Sequence, residues 1–224
     1  MTRPYLSIVI SILLLSACGQ KTERAPNTFV ESSIGDARRL NPVIANDSAS
    51  GTINDQVFTG LVKYDKDIKL IGDLAEQWTV TNRGKTITFQ LRKGVKWHDG
   101  VEFTADDCLF TYKKFIDPAV ATPYSSSYMD VAKAEVLGRY TFRVTYKEPF
   151  SPALESWAVG IIPRHLLEGK DINTDPFNRH PVGTGPYKFK EWISGQKIVL
   201  EANPDYYEGR PNIDQFIYRI IPDS

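Results

Sequence analysis

The chain has 224 residues and equal numbers of basic (27) and acidic (27) side chains, so its formal net charge is zero. Lys and Arg are scattered along it, which excludes the basic stripe of a nucleic-acid binder. Hydrophobic residues make up 42%; with that length this permits a sizeable core of one or two domains, and no repeat or low-complexity tract breaks it.

The first segment is Arg3 followed by an apolar run from Leu6 to Leu15. A helix needs about 20 such residues to cross a bilayer, so this run suits the h-region of a signal peptide instead. It ends in Leu15-Ser16-Ala17-Cys18, which resembles the lipobox of a lipoprotein. That resemblance implies cleavage before Cys18 and attachment of diacylglycerol to it, and two or three acyl chains anchor a protein stably to a membrane. Residues 1–17 are then the signal peptide and 18–27 a polar, lipidated tether. An ordinary cleavage site with a chance cysteine is the other reading. The second cysteine, Cys108, falls on the apolar face of a predicted helix and reads as a buried thiol. No disulfide framework and no Cys-x-x-Cys metal site follow from these two positions.

Beyond the tether, Asn27 to Ser33 reads as a strand and Leu40-Asn-Pro42 as a turn. Gly51 to Gly60 reads as a short helix carrying Ile53, Val57 and Phe58. Trp78 to Arg92 reads as a hairpin through Asn82-Arg-Gly-Lys85, where Gly84 can take a positive φ. Lys93-Gly94 and Asp99-Gly100 are turn signals around Val95-Lys96-Trp97. Thr104 stands at an N-cap position, with Asp107 three residues on. Cys108, Leu109, Tyr112, Phe115 and Ile116 follow at helical spacing until Asp117-Pro118 ends the helix. Tyr140 to Tyr146 alternates and is predicted to pair with Lys133 to Leu137 across Gly138-Arg139. Ser151 to Val159 and Arg164 to Leu167 are short helical pieces; Lys197 to Glu201 and Phe216 to Ile221 are strands. Strands with interspersed helices, outside strict βαβ alternation, predict a mixed α/β (α+β) architecture.

The segment "LRKGVKWHDGVEFTADD", Leu91 to Asp107, also resembles the signature of the extracytoplasmic solute-binding proteins of the peptide/nickel class that serve ABC importers. The resemblance extends upstream to Leu74-Ala-Glu-Gln-Trp78. Downstream it takes in Asp117-Pro118, Thr122-Pro-Tyr-Ser-Ser126, Tyr146 to Phe150, Ile162-Pro-Arg-His165, Gly183-Thr-Gly-Pro-Tyr187, Asn203-Pro-Asp-Tyr206 and Ile220-Ile-Pro-Asp223. Order and spacing agree from Phe29 to Asp223.

This resemblance implies a periplasmic binding protein-like class II architecture, in which two lobes close on a ligand by hinge motion. It implies that the chain is the N-terminal portion of such a receptor, with the second lobe missing. Residues 28–58 and 183–224 would form part of the first lobe, and 59–182 an inserted extra domain. The implied function is a lipid-anchored receptor, facing the periplasm or the extracellular side, that binds oligopeptides or dipeptides and delivers them to ABC permease subunits without a cofactor. Nickel chelate, haem, opine or oligosaccharide cargo remains open within the class, as does a truncated remnant that binds nothing. A chain with one wall of the cleft is expected to bind peptide more weakly than a two-lobed receptor.

The same resemblance points to candidate ligand-binding residues. Asn46, Asp47 and Ser48 occupy the positions of the loop that approaches the peptide in relatives, and Tyr124 and Ser125 match another cleft-lining stretch. Their amide, carboxylate and hydroxyl groups suit a peptide backbone or its ammonium. They equally suit a solvated loop bonded to its own backbone and a turn with a packed tyrosine. Some relatives carry an acidic residue where this chain has Asn46.

An exported hydrolase is the reading from another class, and the chain lacks Gly-x-Ser-x-Gly and His-Glu-x-x-His. His98, His165 and His180 form no i, i+4 pair, and each reads as structural. Asp106 and Asp107 fall in a first helical turn, where they offset the helix dipole. Gly183-Thr-Gly-Pro-Tyr187 lacks the Gly-Lys-Ser/Thr ending of a phosphate loop and reads as a tight return of the chain.

Overall fold

The computed structural model of the protein describes residues 26–221. The apolar leader, Cys18 and all of the tether up to residue 25 lie outside the described residues.

The described chain is a mixed α/β structure organised around two four-stranded sheets. In the first, β1 (Thr28–Ser33), β10 (Gln215–Ile220), β9 (Lys197–Ala202) and β8 (Tyr187–Ile193) lie side by side in that order. β1 runs parallel to β10 and the other pairs are antiparallel. The second sheet is antiparallel throughout, in the order β4 (Ala75–Thr81), β5 (Thr86–Leu91), β7 (Thr141–Tyr146), β6 (Val131–Gly138). A small hairpin of β2 (Val62–Tyr64) and β3 (Leu70–Gly72) stands apart from both. The strands of the first sheet all fall within residues 28–33 and 187–220, and those of the second within 75–146.

Period-2 patterning produces the second sheet. Ile87, Phe89 and Leu91 of β5 and Phe142, Val144 and Tyr146 of β7 are buried, while the residues between them are not. The register sets Phe89 opposite Phe142 and Ile87 opposite Val144, so one apolar face forms. The β4–β5 turn holds Asn82, Arg83 and Gly84 at φ of 48°, 53° and 87°. Only glycine takes this conformation without cost.

Helix α2 (Ala105–Ile116) covers β6 and β7. Its start is the expected one. The Asp107 carboxylate accepts from the Thr104 N–H at 2.9 Å and, through its other oxygen, from the Arg164 N–H at 3.0 Å. One carboxylate thus caps α2 and pins α3 (Arg164–Leu167). Cys108 is fully buried, as its place on the apolar face predicts, and burial pushes its thiol well above the ordinary range. Beneath α2 the core is aromatic. Phe115 stacks on Tyr128 with ring centres 4.3 Å apart, and Trp157 meets Tyr128 at 5.3 Å and Phe142 at 5.2 Å. The polar tips are paired: Trp157 Nε1 donates to Tyr146 Oη at 3.2 Å, Tyr146 to the Ala153 carbonyl at 3.2 Å, and Tyr128 to the Ser156 carbonyl at 2.5 Å.

The structure departs from the expectation at α1 and adds three strands. Helix α1 (Ser48–Val57) begins three residues before Gly51 and ends before Phe58, whose backbone is extended. β8 and the β2–β3 pair are additional strands. The Gly183–Tyr187 stretch is a tight return, as read from sequence, and the structure shows why it needs its glycines. A Cβ on Gly183 or Gly185 would collide with the last turn of α1 at Gln56 and Val57. Gly185 N–H donates to the Val57 carbonyl at 2.9 Å, and the hydroxyls of Thr184 and Thr59 bond each other. His98 closes the clamp: its Nδ1 accepts from Gly183 N–H at 3.2 Å and its Nε2 reaches the Gly185 carbonyl at 3.0 Å.

Candidate functional site

The loop before α1 is held from below by Asn41, which is fully buried. Its carboxamide nitrogen donates to Asn178 Oδ1 at 3.1 Å, and its Oδ1 accepts from Val43 N–H at 3.0 Å. Its backbone carbonyl accepts from Ala45 N–H at 2.9 Å. These bonds fix the turn that presents residues 45–47. Asp47 is then the N-cap of α1, accepting from Ser50 N–H at 2.8 Å and from the Ser50 hydroxyl at 2.7 Å.

On the far side, the chain leaving α2 brings Tyr124 back over this loop. Its hydroxyl lies 3.5 Å from the Ala45 carbonyl, a long hydrogen bond. A third segment, Ala158 to Gly160, runs beside residues 59–61. Leu61 N–H donates to the Trp157 carbonyl at 2.8 Å and Ile161 N–H to the Thr59 carbonyl at 2.9 Å. Gly60 and Gly160 permit this approach, because a Cβ on either would strike the neighbouring segment.

Between these three segments lies a cavity of about 470 Å³, within the size range of small-ligand sites. Asn46, Asp47 and Tyr124 line it, together with Gly51, Asn54 and Asp55 of α1 and residues 158–160. The structure therefore brings three of the predicted residues, from two distant stretches of sequence, around one cavity. Ser48, the exposed first residue of α1, and Ser125, which opens the turn Ser125–Ser127, are not part of that lining. A second cavity of about 420 Å³ adjoins the first and shares Pro42, Asn54, Asp55, Ala158 and Gly160 with it. Its outer wall carries Lys63, which is engaged by Asp73 at 3.3 Å and Glu208 at 2.5 Å.

Asn54 and Asp55 are the residues that sequence reading misses. With the helix starting at Ser48, positions 51, 54 and 55 share a face at i, i+3 and i+4, next to the cap at 47. A helix begun at Gly51 hides that face. Asn54 is 5% exposed, and neither its Nδ2 nor its Oδ1 has a hydrogen-bond partner among the described residues. The surrounding walls withdraw hydration from Asp55 and raise its carboxyl from the ordinary value, although its tip stays open to solvent. Burial, and then the Asp55 charge, raise the Tyr124 phenol.

The histidines lie elsewhere. His98 sits in the clamp described above, His165 bonds Asp99 at 2.7 Å, and His180 packs on Phe189. Among the described residues no group of three His, Cys, Asp or Glu side chains is placed to hold a metal ion. Asp106 and Asp107 stand in the first turn of α2, where Asp106 pairs with Arg164 at 3.6 Å.

Residues 69–224 match the family described as bacterial extracellular solute-binding proteins, family 5 middle. The chain is 35% identical over 237 aligned residues to the oligopeptide-binding protein AppA of Bacillus subtilis (strain 168), covering 97% of this chain and 43% of AppA. It is 34% identical over 191 residues to the glutathione-binding protein GsiB of Escherichia coli O1:K1, covering 83% and 36% respectively. The solved structure of Bacillus subtilis AppA in complex with a nonapeptide superposes with a TM-score of 0.83 over 89% of this chain and 41% of that one, at 35% identity. NikZ from Campylobacter jejuni, in complex with Ni(L-His), superposes with a TM-score of 0.82 at 32% identity over 88% and 40%. The chain thus spans about two fifths of the length of the relatives it matches.

Proposed function

The chain belongs to the bacterial extracellular solute-binding proteins of family 5, and we propose that it supplies one wall of a receptor that captures peptides outside the cytoplasm and delivers them to an ABC permease. The observation that carries this reading is the cavity where Asn46, Asp47 and Tyr124 meet. Its walls offer carboxamides, an aromatic ring and carboxylates, which are groups that can hold a peptide's backbone or its ammonium. The likeness to a peptide receptor over 97% of the chain supports the same reading. This reading assigns the chain no catalytic step.

Two finer parts belong to the proposal. Residues 28–58 and 183–224 form part of the first lobe and 59–182 an inserted domain, so that the clamp of Gly183, Thr184 and His98 against α1 lies where the chain passes between them. Cys18 carries the lipid that holds the receptor at the membrane. Cys18→Ser is then expected to move the protein from the membrane fraction to the soluble extracytoplasmic fraction; a variant that stays membrane-bound contradicts the anchor.

Native mass spectrometry of the 224-residue chain with an equimolar set of di- to nonapeptides tests the cargo. Peptide adducts are expected, and their absence at millimolar peptide would overturn the reading. The likeness to NikZ favours a second cargo, a nickel–histidine chelate. Adducts of that chelate in place of peptide would promote it to first.

A further inference from the structure

The charged side chains that line the two adjoining cavities are acidic in excess. The first is lined by Asp47 and Asp55 and by no Lys, Arg or His. In the second, Lys63 is already held by Asp73 and Glu208. Asp47 is hydrogen-bonded within its own cap, whereas Asp55 has neither a hydrogen bond nor an ion pair among the described residues. Next to it, at the ridge between the cavities, the Asn54 carboxamide is buried with both of its polar atoms unpartnered. A buried amide left in that state has lost its hydration and gained no bond in return. Such a group beside a cavity is explained if an incoming group completes its bonds. Asn54 can accept from a ligand's N–H groups, Asp55 can neutralise their charge, and the Tyr124 ring in the same cavity adds the attraction of an aromatic face for a cation.

We propose that the ridge formed by Asn54 and Asp55, facing Tyr124, is a subsite for a cationic group of the ligand, an alkylammonium or guanidinium, so that this receptor prefers basic peptides to neutral and acidic ones. The proposal rests on the peptide-binding reading above and adds the sign of charge to it. The cation comes from a basic side chain or from the peptide's own terminal amine, and both present the same N–H donors to the same carboxylate. Asn46 adds no charge to the wall, so selectivity falls to α1 instead of to the loop before it.

The test uses the ¹⁵N-labelled 224-residue chain and four amidated pentapeptides, with binding followed at the amides of Gly51 and Gly160. Three are N-acetylated and differ only in a central lysine, norleucine or glutamate. The fourth has the norleucine sequence with a free terminal amine. The lysine peptide is expected to bind about fivefold tighter than its acetylated norleucine counterpart, the size suited to a partly exposed charge pair. The glutamate peptide is expected to bind weakest. If the terminal amine is the source of the cation, the advantage passes to the fourth peptide. In Asp55→Asn either advantage, taken as the ratio to the acetylated norleucine peptide in the same variant, should fall to near unity. Equal affinities across the panel, or a preference that survives Asp55→Asn, would overturn the proposal and leave peptide binding intact. A panel in which nothing binds would overturn the peptide reading, and this subsite with it.

Discussion

The aromatic core under α2 and the cavity beside α1 treat their polar atoms in opposite ways. In the core, the Trp157 nitrogen, the Tyr146 hydroxyl and the Tyr128 hydroxyl each end on a protein acceptor. In the cavity, the Asn54 carboxamide ends on nothing, and the Asp55 carboxylate has neither a hydrogen bond nor an ion pair among the described residues. Both regions draw on segments far apart in sequence. A closed network of hydrogen bonds stabilises a fold; an open one beside a cavity keeps bonding capacity for something else. The contrast is physical and can be broken by substitution.

The largest effect is expected in the core. Trp157 touches the rings of Phe89, Tyr112, Tyr128 and Phe142. Trp157→Ala leaves a large void and takes from the Tyr146 hydroxyl the one donor it accepts from, and should cost about 4 kcal/mol in urea unfolding. A loss under 1 kcal/mol would show that the core is not closely packed.

Next comes the clamp. Burial lowers His98 from 6.5 to about 4. The unfolded chain therefore takes up this proton first as pH falls. The contribution of His98 to stability is fully present above 6.5 and is lost progressively as pH drops toward 4, by at most about 3 kcal/mol. His98→Gln lacks that proton and should show a shallower loss of stability across the window. Parallel curves for the two proteins would contradict a neutral, buried imidazole.

A smaller cost is expected at the α2 cap. Asp107→Ala strips the partner from the N–H groups of both Thr104 and Arg164. It should destabilise by about 2 kcal/mol, measured by thermal melting. An unchanged melt would mean that water serves these donors equally well.

The smallest effect should have the opposite sign. Asn54→Leu replaces an unpartnered buried amide by an apolar group of similar size, so stability should hold or rise by about 1 kcal/mol, while peptide affinity falls. Destabilisation by 2 kcal/mol or more would place Asn54 among the structural residues of the first kind and remove the contrast.

Legibility from sequence follows the same division. The clean alternation of Thr86 to Leu91 and of Thr141 to Tyr146, the Asn82–Gly84 turn, the Thr104 start and the Asp117-Pro118 stop each carry a local signal, and the structure has all of them. β8 was hidden because a bulge between Phe189 and Glu191 breaks the alternation of Tyr187, Phe189 and Trp192. β2 and β3 are three residues each, too short for any period to register. The parallel pairing of β1 with β10 joins residues at opposite ends of the described chain, and no local signal reports it. At the site, Asn46, Asp47 and Tyr124 were reachable through their place in the family pattern. Asn54 and Asp55 were not, because Ser50-Gly51-Thr52 are weak helix formers and obscure a start that the Asp47 cap sets. What made Asn54 notable, the want of a partner, exists only in three dimensions.

The central claim is that peptide lies against α1, the 45–47 loop, Tyr124 and residues 158–160. A pentapeptide bearing a benzophenone side chain, photo-cross-linked to the intact chain and mapped by mass spectrometry, tests this most directly. The account predicts adducts within residues 45–55, at 123–124 and at 158–160. Adducts concentrated instead in the apolar groove of Val80, Ile87, Phe150 and Leu154, or between α2 and α3 at Phe110 and Arg164, would contradict it.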